Sequence, residues 1–257
     1  MHTPKPYPKI RLFVEQPLAP GGSVTLHEKQ AHYLLHVMRA HVGTPLVLFN
    51  GEDGEWRGEI TSETKRDVFV QLKDRLREPM PGPDAWLVFA PIKNERIDYI
   101  AEKATELGVS ELWPVFTRHT AVNRVNIDRL RANAIEAAEQ CERVNVPLVH
   151  EPQQLTNLLA SWPKERRLFY GDESGGGTAP KQLLADMSPC PWALLIGPEG
   201  GFAPDEFVLL KTMPFATPLS LGPRVMRADT AAIAALACLQ SWLGDWDEKP
   251  AFRTASS

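Results

Sequence analysis

Residues 194–206 read LLIGPEGGFAPDE. Apolar residues run straight into Gly-Pro-Glu-Gly-Gly. Pro204, Asp205 and Glu206 then carry the marks of a helix start, a proline in the first turn with acids behind it. The stretch predicts a buried strand, a glycine-rich turn and a helix. A second unit of the same form lies at 218–236, PLSLGPRVMRADTAAIAAL. Gly197-Pro198 and Gly222-Pro223 both stand at the C-terminal end of an expected strand, where open α/β sheets bind ligands.

Around these units the chain alternates between strand and helix. WLVFA (86–90), LWPVF (112–116), RRLFY (166–170), WALLI (192–196) and PLSL (218–221) are the strands. Ile97, Ile100, Ala101, Ala104 and Leu107 recur at helical spacing, with Gly108 where a C-terminal cap glycine belongs. Ile127, Leu130, Ala134, Ala137 and Cys141 mark another helix. Such alternation implies an α/β domain with a parallel sheet covered by helices. Upstream the pattern differs. IRLFV, TLH, LVLFN, WRGEI and VFVQL are short strands between turns, interrupted by one helix, EKQAHYLLHVMRA (28–40). They predict a small β-barrel domain over 1–77. The proline-rich stretch at 78–85 reads as a linker, 86–245 as the α/β domain, and the polar tail from 246 to 257 as disordered.

Composition narrows the function. At 257 residues and 43% hydrophobic content the chain can fill one large core or two modest ones. A formal net charge of −4 is not that of a protein that coats nucleic acid, so any RNA contact needs local basic patches. Cys141, Cys190 and Cys238 are scattered and odd in number, which argues against a disulfide framework or a zinc site. His32 and His36 have metal-ligand spacing but no third ligand in the sequence nearby, and no metal is expected. The N-terminus has prolines where a signal peptide needs an apolar run, and Ala231–Leu239 is too short to span a bilayer. The expectation is a cytoplasmic protein without a membrane partner.

The turns themselves restrict the ligand. A Walker loop needs G-x-x-x-x-G-K-[ST] and a Rossmann loop G-x-G-x-x-G, and neither is present. Glu199, set inside the first turn, would repel a pyrophosphate. A ligand with a positive centre and a flat base suits two glycine turns with apolar edges, and S-adenosylmethionine has both. A nucleotide-dependent metabolic enzyme and a non-catalytic RNA-binding protein of ribosome assembly remain alternatives at this point.

LLIGPEGGF together with LSLGPRVMRADTAAIAAL resembles the signature of SPOUT-class RNA methyltransferases. The nearest resemblance is to the RsmE family, the 16S ribosomal RNA uridine-N3 methyltransferases. KNERIDYIAEKATELGV (93–109), EAAEQCERVNVP (136–147), HYLLHVMRAHVG and LFNGEDGEW extend the resemblance over nearly the whole chain. It implies a trefoil-knotted α/β domain behind an N-terminal PUA-like barrel, and a homodimer with the active site near the subunit interface. It also implies that the turns hold S-adenosylmethionine. Leu195, Ile196, Gly197, Glu199 and Gly200 would form one wall, and Leu219, Leu221, Gly222 and Met226 the other. The substrate would be a uridine in the small-subunit ribosomal RNA; another RNA target is the alternative within the class.

Uridine N3 carries a proton at neutral pH and must lose it, or be drawn into an anionic form, to accept a methyl group. Arg227 is the candidate to stabilise charge on the uracil oxygens, and Asp229 to act as base or to orient Arg227. Candidate RNA contacts are Lys9, Arg11 and Arg39 in the first domain and Lys93, Arg96, Arg118, Arg124, Arg143 and Arg224 in the second. The chain departs from the family pattern at several places. Asp229 stands where the family has glutamate, Glu142 where glycine is common, His119 where a second basic residue is more usual, and Thr44 where an acid is common.

Overall fold

The computed structural model describes residues 7–249, apart from the side chains at 94 and 95. The tail expected to be disordered lies mostly outside these residues, at 250–257. Two compact units form. One runs up to Pro81 and includes Ala138–Val146; the other comprises Gly82–Ala137 and the chain from Pro147 onward.

The first unit is a five-stranded sheet built from β1 (Arg11–Phe13), β2 (Ser23–His27), β3 (Pro45–Phe49), β4 (Glu55–Glu63) and β5 (Asp67–Arg77). The spatial order is β1-β3-β4-β5-β2, antiparallel except for the parallel pair β1–β3. Alternate residues of β2, β4 and β5 point inward, so Val24, Leu26, Trp56, Ile60, Val68, Val70 and Leu72 share one core with Ala31 and Leu34. The single helix expected at 28–40 is split. α1 (Glu28–His32) is α-helical, Tyr33–Val37 is a π-helical turn, and Arg39 at φ 53° ends it.

An ionic cluster is buried in this unit. Glu55 is fully buried and receives Arg11 Nε at 2.9 Å, Arg77 Nε at 3.1 Å and the Tyr7 hydroxyl. Arg11 also donates to the carbonyl of Ala138 at 2.7 Å and to that of Arg143, while Arg77 donates to the carbonyl of Glu142 at 2.6 Å. These bonds explain why 138–146, read from the sequence as part of the second domain, belongs to the first unit. They also correct the reading of Arg11 as an RNA contact. Its guanidinium is consumed inside the protein, with its central carbon 3.7 Å from the centroid of the Phe49 ring. Glu142 sits at φ 63°, the left-handed region that favours glycine. A glycine would be unstrained here; in this chain the Arg77 bond to the Glu142 carbonyl helps to hold the backbone.

The second unit is a parallel seven-stranded sheet. Its strands are β6 (Ala85–Phe89), β7 (Glu111–Phe116), β8 (Leu148–Val149), β9 (Gln153–Gln154), β10 (Arg167–Gly171), β11 (Trp192–Ile196) and β12 (Ala216–Leu219). The order is β12-β10-β11-β6-β7-β8, with β9 paired to the end of β7. β12 ends at Leu219, so the last two residues of the expected strand PLSL already belong to the following loop. α2 (Asn94–Glu106), α3 (Ile127–Gln140), α4 (Leu155–Ala160), α5 (Pro180–Leu183), α6 (Pro204–Thr212) and α7 (Ala228–Leu243) complete the fold. None of the described helices is long and apolar enough to cross a membrane.

Each face of the sheet has its own core. Leu87, Phe89, Leu194 and Ile196 pack with α2 and α7, while Val88, Ala193, Leu195, Tyr170 and Leu210 pack with Trp86, Trp162 and Phe202. α7 is apolar over most of its surface. Within one chain it is buried on the stripe Ala228, Ala232, Ala235, Leu236, Leu239 and Leu243, and its far face, with Ala234, Cys238 and Trp242, is half-open or exposed. α2 closes as its sequence implied. Gly108 at φ 88° lets Val109 N–H reach the Ala104 carbonyl at 3.0 Å and Gly108 N–H the Thr105 carbonyl at 3.1 Å. The buried Gln240 of α7 donates its side-chain amide to the Leu107 carbonyl, tying the two helices together.

Glu55→Gln leaves two largely buried arginines without their carboxylate and should destabilise the first unit by about 3–5 kcal/mol. The hydrogen-bonded arginines and Tyr7 outweigh the opposing burial and hold the Glu55 pKa below its ordinary 4.5. Its stabilisation is therefore complete above the unfolded value and is lost as pH falls through the lower folded one. Protection factors of the β4 and β5 amides, corrected for intrinsic exchange, should fall in the wild type as pH drops through the folded Glu55 pKa, and the Gln variant should lack that acid-dependent component. In the second unit, Gly108→Ala would place a Cβ 2.1 Å from Gln240 Nε2 on a left-handed backbone. A loss of about 2 kcal/mol or more is expected in thermal unfolding.

Candidate active site

Three strand ends build the site. β10 lies between β11 and β12, although all three follow one another in the sequence. The registers set Tyr170 opposite Leu195 and Gly171 opposite Leu219, so the three parallel strands stop at one level. The loops that leave them must therefore converge. Asp172–Gly175, Gly197–Phe202 and Ser220–Met226 together enclose a cavity of about 290 Å³, with Ala228 and Ala231 of α7 at its base.

The cavity brings together most of the residues expected from the sequence. Ile196, Gly197, Glu199, Leu219, Leu221, Gly222 and Met226 all line it. Leu195 does not. Side chains alternate along a strand, and with Ile196 on the cavity side Leu195 is committed to the opposite face, packed in the core with Phe202. Gly200 is turned away too; a Cβ there would meet His119 Cβ at 3.3 Å. Gly222, at φ 93°, has nothing within 4 Å of a Cβ position, so it faces open space.

Sequence reasoning missed the third loop. Asp172, Glu173, Ser174 and Gly175 line the cavity. The GDESGGG stretch follows a strand as the other two turns do, but nothing in the sequence says that β10 inserts between β11 and β12. Asp172 is 6% exposed, its Oδ1 accepts Ser174 N–H at 2.8 Å and Ser174 Oγ at 2.6 Å, and its Oδ2 is buried without a hydrogen-bond partner. Phe202 was missed as well. Its ring stands 3.1 Å from where a side chain at Gly197 would begin, so the glycine makes room for an aromatic wall.

Charge is divided sharply. Asp172, Glu173 and Glu199 line the cavity against a single cation, Arg224. A shallow depression adjoins it through Glu199 and is otherwise lined by Lys93, Arg96 and Arg227. Arg227 is exposed and occupies the N-cap position of α7. Asp229, in the first turn of that helix, accepts Thr230 N–H at 2.8 Å and lies 3.8 Å from Arg96 Nη1. Its ion-pair partner is thus Arg96.

The remaining candidates are spread out. Lys9 and Arg39 are exposed on the first unit, and Arg124 and Arg224 on the second. Arg118 is exposed but paired with Asp205 at 2.8 Å, and Arg143 donates to Asn145 at 2.8 Å within the first unit. Among the described residues no group of three His, Cys, Asp or Glu side chains could hold a metal ion.

Comparison with known proteins agrees with this architecture. Residues 79–240 match the family model for an RNA methyltransferase domain, and 26–73 the model for an RNA methyltransferase PUA domain. A ribosomal RNA small subunit methyltransferase E from Rickettsia conorii is 32% identical over 88% of this chain and 93% of its own. A putative methyltransferase from Legionella pneumophila, solved with its bound cofactor SAM, is 32% identical with a TM-score of 0.83, covering 92% of this chain and 98% of that one. A ribosomal RNA small subunit methyltransferase E from Neisseria gonorrhoeae, 24% identical, shares the fold with a TM-score of 0.82, covering 92% of this chain and 99% of that one. With the catalytic-domain model spanning most of the chain and a full-length relative at 32% identity, the chain belongs to the RNA methyltransferase family that includes ribosomal RNA small subunit methyltransferase E.

Proposed function

We propose that the protein transfers a methyl group from S-adenosylmethionine to N3 of a uridine in small-subunit (16S) ribosomal RNA. The observation that carries this reading is the pairing of an acid-lined cavity with a cation-lined depression, joined at Glu199. Three carboxylates disfavour a polyphosphate and favour a ligand with a cationic centre. Ile196, Phe202, Leu219 and Met226 offer an apolar surface for a purine, and Gly222 leaves room for it. Asp172, with an unpartnered buried oxygen, can take a cofactor N–H or O–H. S-adenosylmethionine supplies an electrophilic methyl group on a sulfonium leaving group. The family to which the chain belongs, and the SAM-bound Legionella relative, support the choice.

On this reading the chain's own work is alignment and charge. Lys93, Arg96 and Arg227 hold the target nucleotide at the cation-lined depression, beside the cavity. Arg227 stabilises the negative charge that develops on the uracil ring as N3 loses its proton. Asp229, close to Arg96, fixes that side chain and is a candidate proton acceptor. Lys9 and Arg39 on the PUA-like unit add phosphate contacts. The half-open far face of α7 is the surface on which a second copy would pack to give a homodimer. A knotted thread in the second unit and action in the cytoplasm belong to the same proposal.

The test is methyl transfer. Labelled S-adenosylmethionine is incubated with the protein and small ribosomal subunits from cells lacking it, and the modified nucleoside is identified. N3-methyluridine is expected; a different methylated nucleoside would overturn the assignment to N3. Gly222→Val should weaken cofactor binding at least about tenfold by calorimetry, because a β-branched residue cannot hold φ 93° and the turn that lines the cavity must reshape, with the overall fold kept by circular dichroism. Unchanged affinity in that folded variant would remove the site. Arg227→Ala should lower kcat by about 10²-fold or more with little change in cofactor Kd, the pattern of lost transition-state charge stabilisation.

A further inference from the structure

The turn Pro198–Gly201 contributes to the cofactor cavity, yet it contains two adjacent glycines, and Gly201 sits at φ 68°. Such a turn has many accessible shapes and needs an outside anchor to keep one. The Gly201 N–H bond to the Pro198 carbonyl, 2.9 Å, is local to the turn. The external anchor is the loop that follows β7. His119 Nδ1 lies 3.1 Å from the Gly200 carbonyl and 3.1 Å from that of Gly201. Both partners are acceptors, so Nδ1 carries the hydrogen and donates to both.

The loop that presents His119 is itself fixed. Thr117 N–H donates to Thr120 Oγ1 at 2.8 Å, and Thr120 N–H returns to the Thr117 carbonyl at 3.2 Å. Arg118 N–H donates to Glu206 Oε1 at 3.0 Å, while Glu206 Oε2 accepts Ala203 N–H at 2.8 Å. Glu206 is 7% exposed, so one buried carboxylate joins the loop to the start of α6 directly behind the turn. On the other side, Glu173 Oε1 fills the space that a side chain at Gly201 would need. The turn is held between His119 and Glu173.

We infer that His119 is a positioning residue for cofactor binding: it holds the Gly200 and Gly201 carbonyls and so fixes Glu199 and Gly201 at the cavity wall. The inference rests on the cofactor reading above. It also gives a role to a residue that departs from the family's basic pattern, one that points to the cofactor turn rather than to RNA.

The experiment is calorimetric titration of S-adenosylmethionine into the full chain, with methyl-transfer kinetics, for the wild type, His119→Ala and His119→Asn. Loss of a shared hydrogen bond predicts that His119→Ala raises cofactor Kd and KM about fivefold, with kcat at saturation within about twofold. His119→Asn, whose amide N–H lies close to the position of Nδ1, should recover most of the loss. A general loss of stability would not separate KM from kcat or be repaired by asparagine. Wild-type affinity in His119→Ala, or a fall in kcat at constant KM, would overturn the positioning role while leaving the cofactor site standing. A wild type that fails to bind S-adenosylmethionine would overturn the cofactor reading and this inference with it.

Discussion

The site depends on one topological constraint: β10 pairs in parallel with both β11 and β12, and the three strands end level. Backbone hydrogen bonding fixes that level, since a parallel ladder sets which residues stand side by side. Three loops that are far apart in the sequence then leave the sheet from neighbouring points. Glycines allow the close approaches: a Cβ at Gly177 would meet Leu219 C and Ser220 N at 2.8 Å, one at Gly197 the Phe202 ring at 3.1 Å, and one at Gly201 Glu173 Oε1 at 1.9 Å. The cavity is the space left between them. Its base is α7, whose small residues Ala228 and Ala231 keep the floor low.

Electrostatics then separates two tasks across a distance of one residue. The cavity is acidic and the adjoining depression basic, and Glu199 belongs to both. A cationic cofactor and an anionic polymer thus each meet the opposite charge, while the overall net charge of −4 discourages indiscriminate binding of RNA. Arg227, at the N-cap of α7, and Asp229, in its first turn, are positioned by the same helix that floors the cavity. On the proposed reading, the residues that meet the substrate stand on the same helix that lines the cofactor cavity.

Much of this was legible in the sequence. Short apolar runs alternating with helical spacing located the strands that frame the cavity, and the paired Gly-Pro turns located two of its three walls. The third wall was not legible, because strand order is a property of the folded sheet and GDESGGG carries no motif. Leu195 was assigned to the wall since motif reading treats a run of residues as a unit, whereas a strand alternates its faces. Arg11 looked like a surface cation because nothing local announces that Glu55, Arg77 and Tyr7, distant in sequence, will meet it in the interior. Conversely, the odd residue Glu142 became intelligible only when its positive φ was seen.

On the proposed reading, the three-loop cavity takes a sulfonium cofactor and not a polyphosphate nucleotide. Calorimetric titration of the wild-type chain with S-adenosylmethionine, ATP and NAD in parallel tests it most directly. Saturable binding of S-adenosylmethionine at one site per chain, with no heat from ATP or NAD, is the predicted result. Saturable binding of ATP or NAD in the absence of any binding of S-adenosylmethionine would contradict it.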